Sequence, residues 1–279
     1  PNSARIVRYM EINFFIALSL GLAVGLTLAL TGAGGAILGV PLLVFGLGIP
    51  ISEASPIALL AVAIAACFGA ALGFKAGILR YKAALVMSAF GLLLSPVGLW
   101  VAQQIPNQPL LILFAAILLY VSITMFRQAQ REVNGTLANK GESQPCLLDE
   151  TRGKLIWTLP CFRAMVAAGS TAGFLSGLLG VGGGFVIVPV LKKTTNLPMK
   201  SIVATSLGVI TLISLTGVIG SSIIGTMNWS MAIPFALGTL IGMLSGRSIG
   251  RHIKGPRLQQ GFSMVAFGVS LGMVYRAFV

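Results

Sequence analysis

Charged residues are scarce in this sequence, and acidic residues are the scarcest of them. Of 279 residues only 9% are charged, with six Asp or Glu against nineteen Lys or Arg. The single histidine, His252, has no cysteine or carboxylate partner near it in the sequence. No Ser/His/Asp set, paired carboxylate or cluster of metal ligands can be recognised. We therefore predict a protein that is not an enzyme, with no catalytic residue, metal ion or cofactor.

Cysteines are also few, and their spacing indicates no bonded pair. Cys67, Cys146 and Cys161 are an odd number and include no CxxC motif. An even number of cysteines at regular spacing would indicate a disulfide framework, and paired CxxC motifs would indicate a zinc site. The sequence therefore predicts neither of these.

Apolar residues, in contrast, are abundant and occur in long runs. Hydrophobic residues make up 56% of the chain and the mean hydropathy is +0.95. Several uncharged runs reach the roughly 20 residues that a helix needs to cross a bilayer. We predict an all-α polytopic protein of the cell (inner) membrane. The basic residues that give the net charge of +13 lie between the runs, where their side chains meet anionic lipid head groups. No basic patch is interleaved with aromatic residues, as nucleic-acid binding requires.

The hydrophobic runs form two sets of five. Glycine and proline residues of the two sets match at a constant offset of 148 residues, as in Gly32 with Gly180 and Pro41 with Pro189. Because these residues mark special backbone positions, the match predicts an internal repeat. The predicted parts are a first membrane repeat at 13–126, a cytoplasmic connector at 127–162 and a second membrane repeat at 163–276. The runs lie at about 13–31, 36–47, 54–74, 82–102 and 108–126, and at about 163–179, 184–191, 200–224, 229–246 and 258–276.

Basic residues in the loops predict that the two repeats are inverted. Cytoplasmic loops carry an excess of Lys and Arg, and equivalent loops of the two halves differ in whether they are basic. We expect the connector inside and both termini outside, although Arg5 and Arg8 favour the opposite side for the N-terminus. The first run is interpreted as a membrane helix and not as a removed signal. Basic loops are 75–82, 192–200 and 247–257, and loops without a base are 47–53, 103–109 and 225–230.

The second run of each half is too short to cross a bilayer at about 1.5 Å per residue. Each of these runs, 36–47 and 184–191, follows a glycine-rich stretch, GAGG at 32–35 and GVGGG at 180–184. We predict a short re-entrant second helix in each half, forming a hairpin whose tip is buried in protein, where irregular backbone is tolerated. Inverted repeats with broken helices are typical of secondary transporters, which bind substrate near the bilayer midplane.

The two glycine-rich tips are the candidate binding site. A helix N-terminus offers unsatisfied N–H groups and the positive end of the helix dipole, which bind anions without a charged side chain. The alternative is close helix packing, which we favour for Gly21, Gly25, Gly69, Gly77 and their mates in the second half. The predicted substrate-binding glycines are Gly32, Gly34, Gly35, Gly180, Gly182, Gly183 and Gly184.

Small polar residues begin the third run of each half and add hydroxyl candidates. Ser55, Thr205 and Ser206 could donate to an oxyanion, but hydroxyls in membrane helices also bond to carbonyls of their own helix. Ser214 lies nearly opposite Thr205 on the predicted helix and is less favoured as a substrate ligand. No acidic residue lies well inside a run, which argues against a carboxylate that couples transport to protons.

The motifs resemble those of the TauE/SafE sulfite exporter family. The resemblance rests on GAGGxxxxxP and GVGGGxxxxP, each followed about nine residues later by Pro50 or Pro198, and on ATSL at 204–207. It covers nearly the whole chain outside the connector. The first half departs from the pattern at Ala36, which replaces the third glycine of the second half, Gly184. The resemblance implies transport of small sulfur-containing anions, such as sulfite or organosulfonates, across the cytoplasmic membrane.

The residues and the resemblance together predict a secondary transporter for such anions. The resemblance implies export, whereas the residues themselves leave the direction open. A passive anion channel and a non-transporting membrane scaffold or assembly factor are the alternatives. The expected partners are the small anionic substrate and membrane lipids, without nucleic acid, and a homo-oligomer is an open option.

Overall fold

The structure is a computed structural model that describes residues 2–32, 34–133, 146, 148–149, 154–155, 157–225, 227–249 and 255–278. The described residues form ten α-helices and one pair of two-residue strands, which confirms the predicted all-α membrane fold. The helices are α1 (Asn2–Thr31), α2 (Gly34–Gly46), α3 (Ile51–Lys75), α4 (Tyr81–Gln104), α5 (Asn107–Val133), α6 (Leu159–Leu179), α7 (Gly184–Thr194), α8 (Met199–Ile224), α9 (Trp229–Ile249) and α10 (Gly255–Phe278).

Seven of the described helices contain an apolar segment long enough to cross a membrane. The prediction of a multi-pass membrane protein is therefore confirmed. The three tryptophans, Trp100, Trp157 and Trp229, are all exposed and lie close to helix ends, as in the aromatic belts at membrane–water interfaces. The segments are Phe14–Thr31, Ile51–Lys75, Tyr81–Gln104, Gln108–Gln130, Leu159–Leu179, Met199–Ile223 and Trp229–Ser248.

The short helix α2 turns back along α1. Gly35 packs against the carbonyl of Val24, and further along α2 a Cβ built on Gly46 would lie 2.5 Å from a methyl carbon of Leu20. Residue numbers therefore rise along α2 as they fall along α1, which makes the two helices an antiparallel hairpin. In the second half, the equivalent helices α6 and α7 also pack against each other.

The central helices α3 and α8 run antiparallel to each other. A Cβ on Gly73 would lie 2.8 Å from Ala204 Cβ, and a Cβ on Gly217 would lie 2.6 Å from Leu59 Cδ1. The helices α3 and α8 occupy equivalent positions of the 148-residue repeat, so this equivalent pair points in opposite directions. This is the geometry that the loop charges require. Which membrane face each loop meets stays a prediction.

Two parallel helix pairs are held together by glycines. The helices α1 and α9 approach so closely that a Cβ on the α1 glycines between them would clash with backbone carbonyls of α9. The equivalent helices under the 148-residue offset, α6 and α4, make the same contacts. The packing interpretation of these glycines is therefore confirmed. The contacts are Gly21 with Phe235, Gly25 with Thr239, Gly169 with Met87 and Gly173 with Gly91.

The packing interpretation is wrong for Gly77 and its mate Gly225. Among the described residues, neither glycine has an atom within 4 Å of the position of a Cβ. Their φ angles are +67° and +78°, and they lie in the turns that follow α3 and α8. Glycine is needed there because the left-handed backbone is unfavourable for residues with a side chain.

The connector contains a disulfide and two short strands that the sequence did not predict. Cys146 and Cys161 form the disulfide, so the expectation drawn from cysteine spacing was wrong for this pair. The backbone N–H of Cys146 donates to the carbonyl of Thr194 at 3.1 Å, which attaches the connector to the end of α7. The strands β1 (Leu148–Asp149) and β2 (Lys154–Leu155) pair antiparallel. The pairing of the cysteines depends on how the connector folds back onto α6 and α7, which spacing alone does not reveal.

Candidate anion-binding site

Both glycine-rich tips lie against the central helices α3 and α8. We call residues 32–35 the first tip and residues 180–184 the second tip. Gly32 of the first tip packs against the side chain of Val203 on α8, and Gly180 of the second tip packs against Ser55 on α3. The two contacts are equivalent under the 148-residue offset, which relates Gly32 to Gly180 and Ser55 to Val203, so that the two halves exchange places. The tertiary structure therefore brings the tip of each half onto the central helix of the other half.

The second tip has an unusual backbone. Gly180, Gly182 and Gly183 have φ angles of +70°, +70° and +65°. Gly180 ends α6, and Gly183 is the N-cap of α7, whose first residue is Gly184. No side chain caps this helix start. The first N–H groups of α7 and the positive end of its dipole therefore point toward the second tip.

Two tip glycines are required for packing, whatever else they do. A Cβ on Gly35 would clash with the carbonyl of Val24, and a Cβ on Gly183 would clash with the equivalent carbonyl of Ala172. Both contacts hold the returning short helix against the first helix of its own half. The predicted role of Gly35 and Gly183 in binding an anion stays a prediction.

The first tip is tied to α8 by a hydrogen bond. Gly32 has a φ of +74°, and its N–H donates to Leu28 at 2.8 Å. The Oγ of Ser206 lies 3.0 Å from the carbonyl oxygen of Gly32 and 2.9 Å from that of Val203, so one hydroxyl proton serves two acceptors. Gly34 is the first residue of α2. The Ser206 hydroxyl therefore already has backbone partners beside the first tip.

The other two predicted hydroxyls also contact backbone groups. Ser55 Oγ lies 3.3 Å from the carbonyl oxygen of Leu179, next to the second tip. Thr205 Oγ1 accepts a hydrogen bond of 3.1 Å from the backbone N–H of Arg80, just before α4 begins. The structure therefore brings Ser55 and Ser206 to the tips, whereas it places Thr205 at the loop between α3 and α4.

A serine that the sequence ranked low lies directly at the second tip. Ser214 is fully buried, and a Cβ built on Gly182 would lie 2.8 Å from its Oγ. Ile210 of α8 and Val62 of α3 are the next nearest neighbours of this Cβ position, at 3.2 Å and 3.6 Å. The spacing of Ser206, Ile210 and Ser214 by four residues could have indicated one face of α8 that contacts both tips. Helical spacing alone, however, does not tell which face of a buried helix meets a tip.

A cavity of about 350 Å³ reaches the second tip from one end of the molecule. It lies between the start of α3, the ends of α4 and α8, and the second tip, and none of the described residues that line it is charged. Its size is at the lower end of the range typical of small-molecule sites. The loop charges predict that this end faces the outside. Its polar lining residues are Ser52, Ser55, Gln103 and Ser221.

Comparisons with known proteins agree with this architecture. A "Probable membrane transporter protein" of Xylella fastidiosa (strain Temecula1) is 26% identical over 269 residues, covering 95% of this chain and 96% of that protein. "Probable membrane transporter protein YunE" of Bacillus subtilis is 25% identical over 271 residues, covering 94% and 98%. A relative from Methanocaldococcus jannaschii is 38% identical over 93 residues, or 32% of this chain and 34% of that protein. No solved structure matches the chain.

A family model covers nearly the whole chain. The model described as "Sulfite exporter TauE/SafE" matches residues 17–273, a range that includes both tips and both central helices. The resemblance indicated by the glycine and proline motifs is thereby confirmed. This chain belongs to the TauE/SafE sulfite exporter family of membrane proteins.

Proposed function

We propose that the protein is a secondary transporter that exports small sulfur-containing anions, such as sulfite or organosulfonates. The family description supports the substrate class and the direction, and the names of the relatives support membrane transport. The anion binds between the central helices, where the backbone N–H groups at the start of α7 face the second tip.

The observation that carries this proposal is the placement of two helix breaks between two antiparallel central helices. Gly32 packs on α8 and Gly180 packs on α3, so a movement of one half against the other changes the surroundings of both tips. Secondary transporters with inverted repeats bind substrate at such a position and expose it to each face in turn. A cavity reaches the second tip from one face, while Val203 and Ser206 pack against the first tip.

The chemistry of the tip favours an anion over a cation. The site presents N–H groups and a positive helix end. The side chains nearest to the Cβ position of Gly182 are those of Ser214, Ile210 and Val62, and none of these three is acidic. A buried cation would need carboxylates or several carbonyl oxygens to replace its hydration shell. Basic residues exceed acidic residues by nineteen to six in the whole chain, which adds a positive field at the loops.

Counterflow in proteoliposomes tests the proposed function. Vesicles loaded with unlabelled sulfite are diluted into a trace of labelled sulfite, with protein-free vesicles as the control. A carrier exchanges the two and accumulates label transiently above equilibrium. A passive channel only equilibrates the label, and a non-transporting scaffold gives the flux of the protein-free control. Repeating the assay with sulfoacetate extends the test to organosulfonates.

A further inference from the structure

The Ser214 hydroxyl is buried in the centre of the protein without a hydrogen-bond partner. Its side chain is fully inaccessible to solvent, and no described residue supplies a donor or acceptor to its Oγ. Burying an unpaired hydroxyl lowers the stability of a protein, so buried hydroxyls normally have partners. An unpaired hydroxyl at this position is explained if its partner is a ligand that binds and leaves.

The hydroxyl points at the second tip. A Cβ on Gly182 would lie 2.8 Å from Ser214 Oγ, 3.2 Å from Ile210 Cγ2 and 3.6 Å from Val62 Cγ1. Gly182 has only a hydrogen atom as its side chain, and the only polar atom among these three neighbours is the Ser214 hydroxyl oxygen. Two residues further along the chain α7 begins, with its first N–H groups unsatisfied by a side chain.

The second tip differs from the first in this respect. The residue equivalent to Ser214 in the first half is Ala66, which has no polar side chain. The serine beside the first tip, Ser206, already contacts the carbonyl oxygens of Gly32 and Val203. The two tips also differ in backbone, because α2 already begins at Gly34 whereas Gly182 and Gly183 precede α7 with positive φ angles. Among the described residues, the second tip has a buried hydroxyl without a protein partner and the first tip does not.

We propose that Ser214 is a ligand of the transported anion, and that the protein has one anion site, at the second tip. The hydroxyl donates to one oxygen of the sulfite or sulfonate group, and the N–H groups of Gly184 and Phe185 donate to the others, since the N–H of Val186 already donates to the carbonyl of Gly183 at 3.1 Å. This inference rests on the proposed transport function. Because the donors are uncharged, the site suits a tetrahedral or pyramidal oxyanion of low charge.

The cavity provides the path to this site. Gly217 and Ser221 lie about one and two helical turns beyond Ser214 on the same face of α8, and both line the cavity. A Cβ on Gly217 would lie 2.6 Å from Leu59 Cδ1, and Leu59 also lines the cavity. Rotation of the Leu59 side chain, or a small shift of α3 against α8, would extend the cavity from Gly180 toward Ser214.

Substitution of Ser214 tests the proposal, and Ser88 provides a matched control. Ser88 is also a buried serine whose Oγ has no partner among the described residues, but it lies on α4. We expect Ser214→Ala to raise the KM for sulfite counterflow by about tenfold or more, as expected for a lost hydrogen bond to a charged group. Ser88→Ala should leave KM unchanged. Neither variant should lower Tm, because each removes an unpaired buried hydroxyl.

The outcomes separate this proposal from the proposed function. If the parent transports sulfite and Ser214→Ala has the parent KM, Ser214 is not a ligand, while the transport function stands. If the parent transports neither sulfite nor sulfoacetate, both proposals fail together. Ser214→Cys provides a second variant, because it keeps the size of the side chain and a weaker hydrogen-bond donor. An unchanged KM in Ser214→Cys together with a raised KM in Ser214→Ala also supports the hydroxyl as a ligand. An equal rise of KM in Ser88→Ala overturns the assignment.

Discussion

At the scale of single residues, the glycines of the tips differ in what they contact. Gly35 and Gly183 lie against carbonyl groups of their own half, whereas Gly182 lies against side chains of α3 and α8. A methyl group added at Gly183 therefore meets rigid backbone and should weaken the fold itself. Gly182 is the tip position at which a substitution reports most directly on the anion site.

We predict that Gly182→Ala abolishes transport while lowering stability only moderately. The new methyl group would occupy the space in front of Ser214, and the left-handed backbone costs about 1 kcal/mol or slightly more for a residue with a Cβ. Gly225→Ala is the matched control, since Gly225 has a φ of +78° and open space around it. Both variants should lose similar Tm, but only Gly182→Ala should lose counterflow. Equal transport by the two variants would contradict an anion site at the second tip.

At the scale of helices, packing depends on glycines at fixed contact positions. The α1–α9 pair and the α4–α6 pair each lack side chains where the two backbones meet. In a membrane, where lipid tails solvate apolar surfaces as well as another helix does, such close approach is a main source of helix association. These glycines therefore stabilise the fold without contacting the proposed site.

We predict that Gly21→Val strongly destabilises the protein. The added side chain would clash with the carbonyl of Phe235 and separate α1 from α9, a case of overpacking that typically costs about 1–3 kcal/mol or more. Gly261→Val is the control, because Gly261 is a helical glycine of α10 and no atom of the part of the chain that the structure describes lies within 4 Å of its Cβ position. Thermal unfolding in detergent compares the two. A similar Tm for both variants would show that the α1–α9 contact contributes little.

The connector disulfide gives a prediction about the side of the membrane on which this element lies. The basic loops predict that the connector lies in the cytoplasm, where cellular thiols keep cysteines reduced. We therefore expect Cys146 and Cys161 to be free thiols in growing cells, and to form the disulfide after lysis in air. Acid-quenched cells, denatured and alkylated with a maleimide of high mass, should show both cysteines modified. A bonded pair in intact cells would place the connector outside.

Closing this disulfide should also stabilise the purified protein. The bond joins residues 15 apart, and a loop of that length removes about 3 kcal/mol of unfolded-state entropy in the chain-entropy treatment. Reduction should therefore lower Tm in the parent. A Cys146→Ser variant should have the low Tm with or without reductant, and a reductant-dependent Tm in that variant would point to another cause.

At the scale of the whole molecule, the central helices of the two halves run in opposite directions. The equivalent helices α3 and α8 run antiparallel, and glycine contacts in one half recur 148 residues later in the other. In this arrangement, the end of α3 and the end of α9 lie at one end of the molecule, whereas the start of α5 lies at the other end. In a membrane, the ends of α3 and α9 therefore lie at one face and the start of α5 lies at the opposite face.

We predict that single cysteines at Lys75 and Arg247 are labelled only from the cytoplasm, and one at Asn107 only from outside. The basic loops set this orientation. Arg251, a residue of the same basic loop, lies outside the described residues, so Arg247 is the better position. The natural Cys67 is exposed and is replaced by alanine first. Labelling of positions 75 and 247 from opposite faces would contradict the inverted arrangement.

The sequence alone determined the features that depend on local composition and spacing. Apolar runs of sufficient length predicted the membrane helices to within a few residues at most ends, because burial in lipid depends on continuous hydrophobicity. The exceptions are the start of α1 and the end of α5, which continue as helix beyond the apolar runs to Asn2 and Val133. The repeat and the short second helices followed from glycine and proline, whose backbone preferences are intrinsic.

Only the tertiary structure decided which of those residues meet. Gly182 and Ser214 are brought together by the packing of the second tip on α8, and Gly32 meets Val203 across the boundary between the halves. Thr205, which the sequence favoured, contacts the backbone of Arg80 instead of a tip. The pairing of Cys146 with Cys161 arises in the same way. Such contacts depend on the rotation and offset of whole helices against each other, and a periodic pattern within one helix does not contain that information.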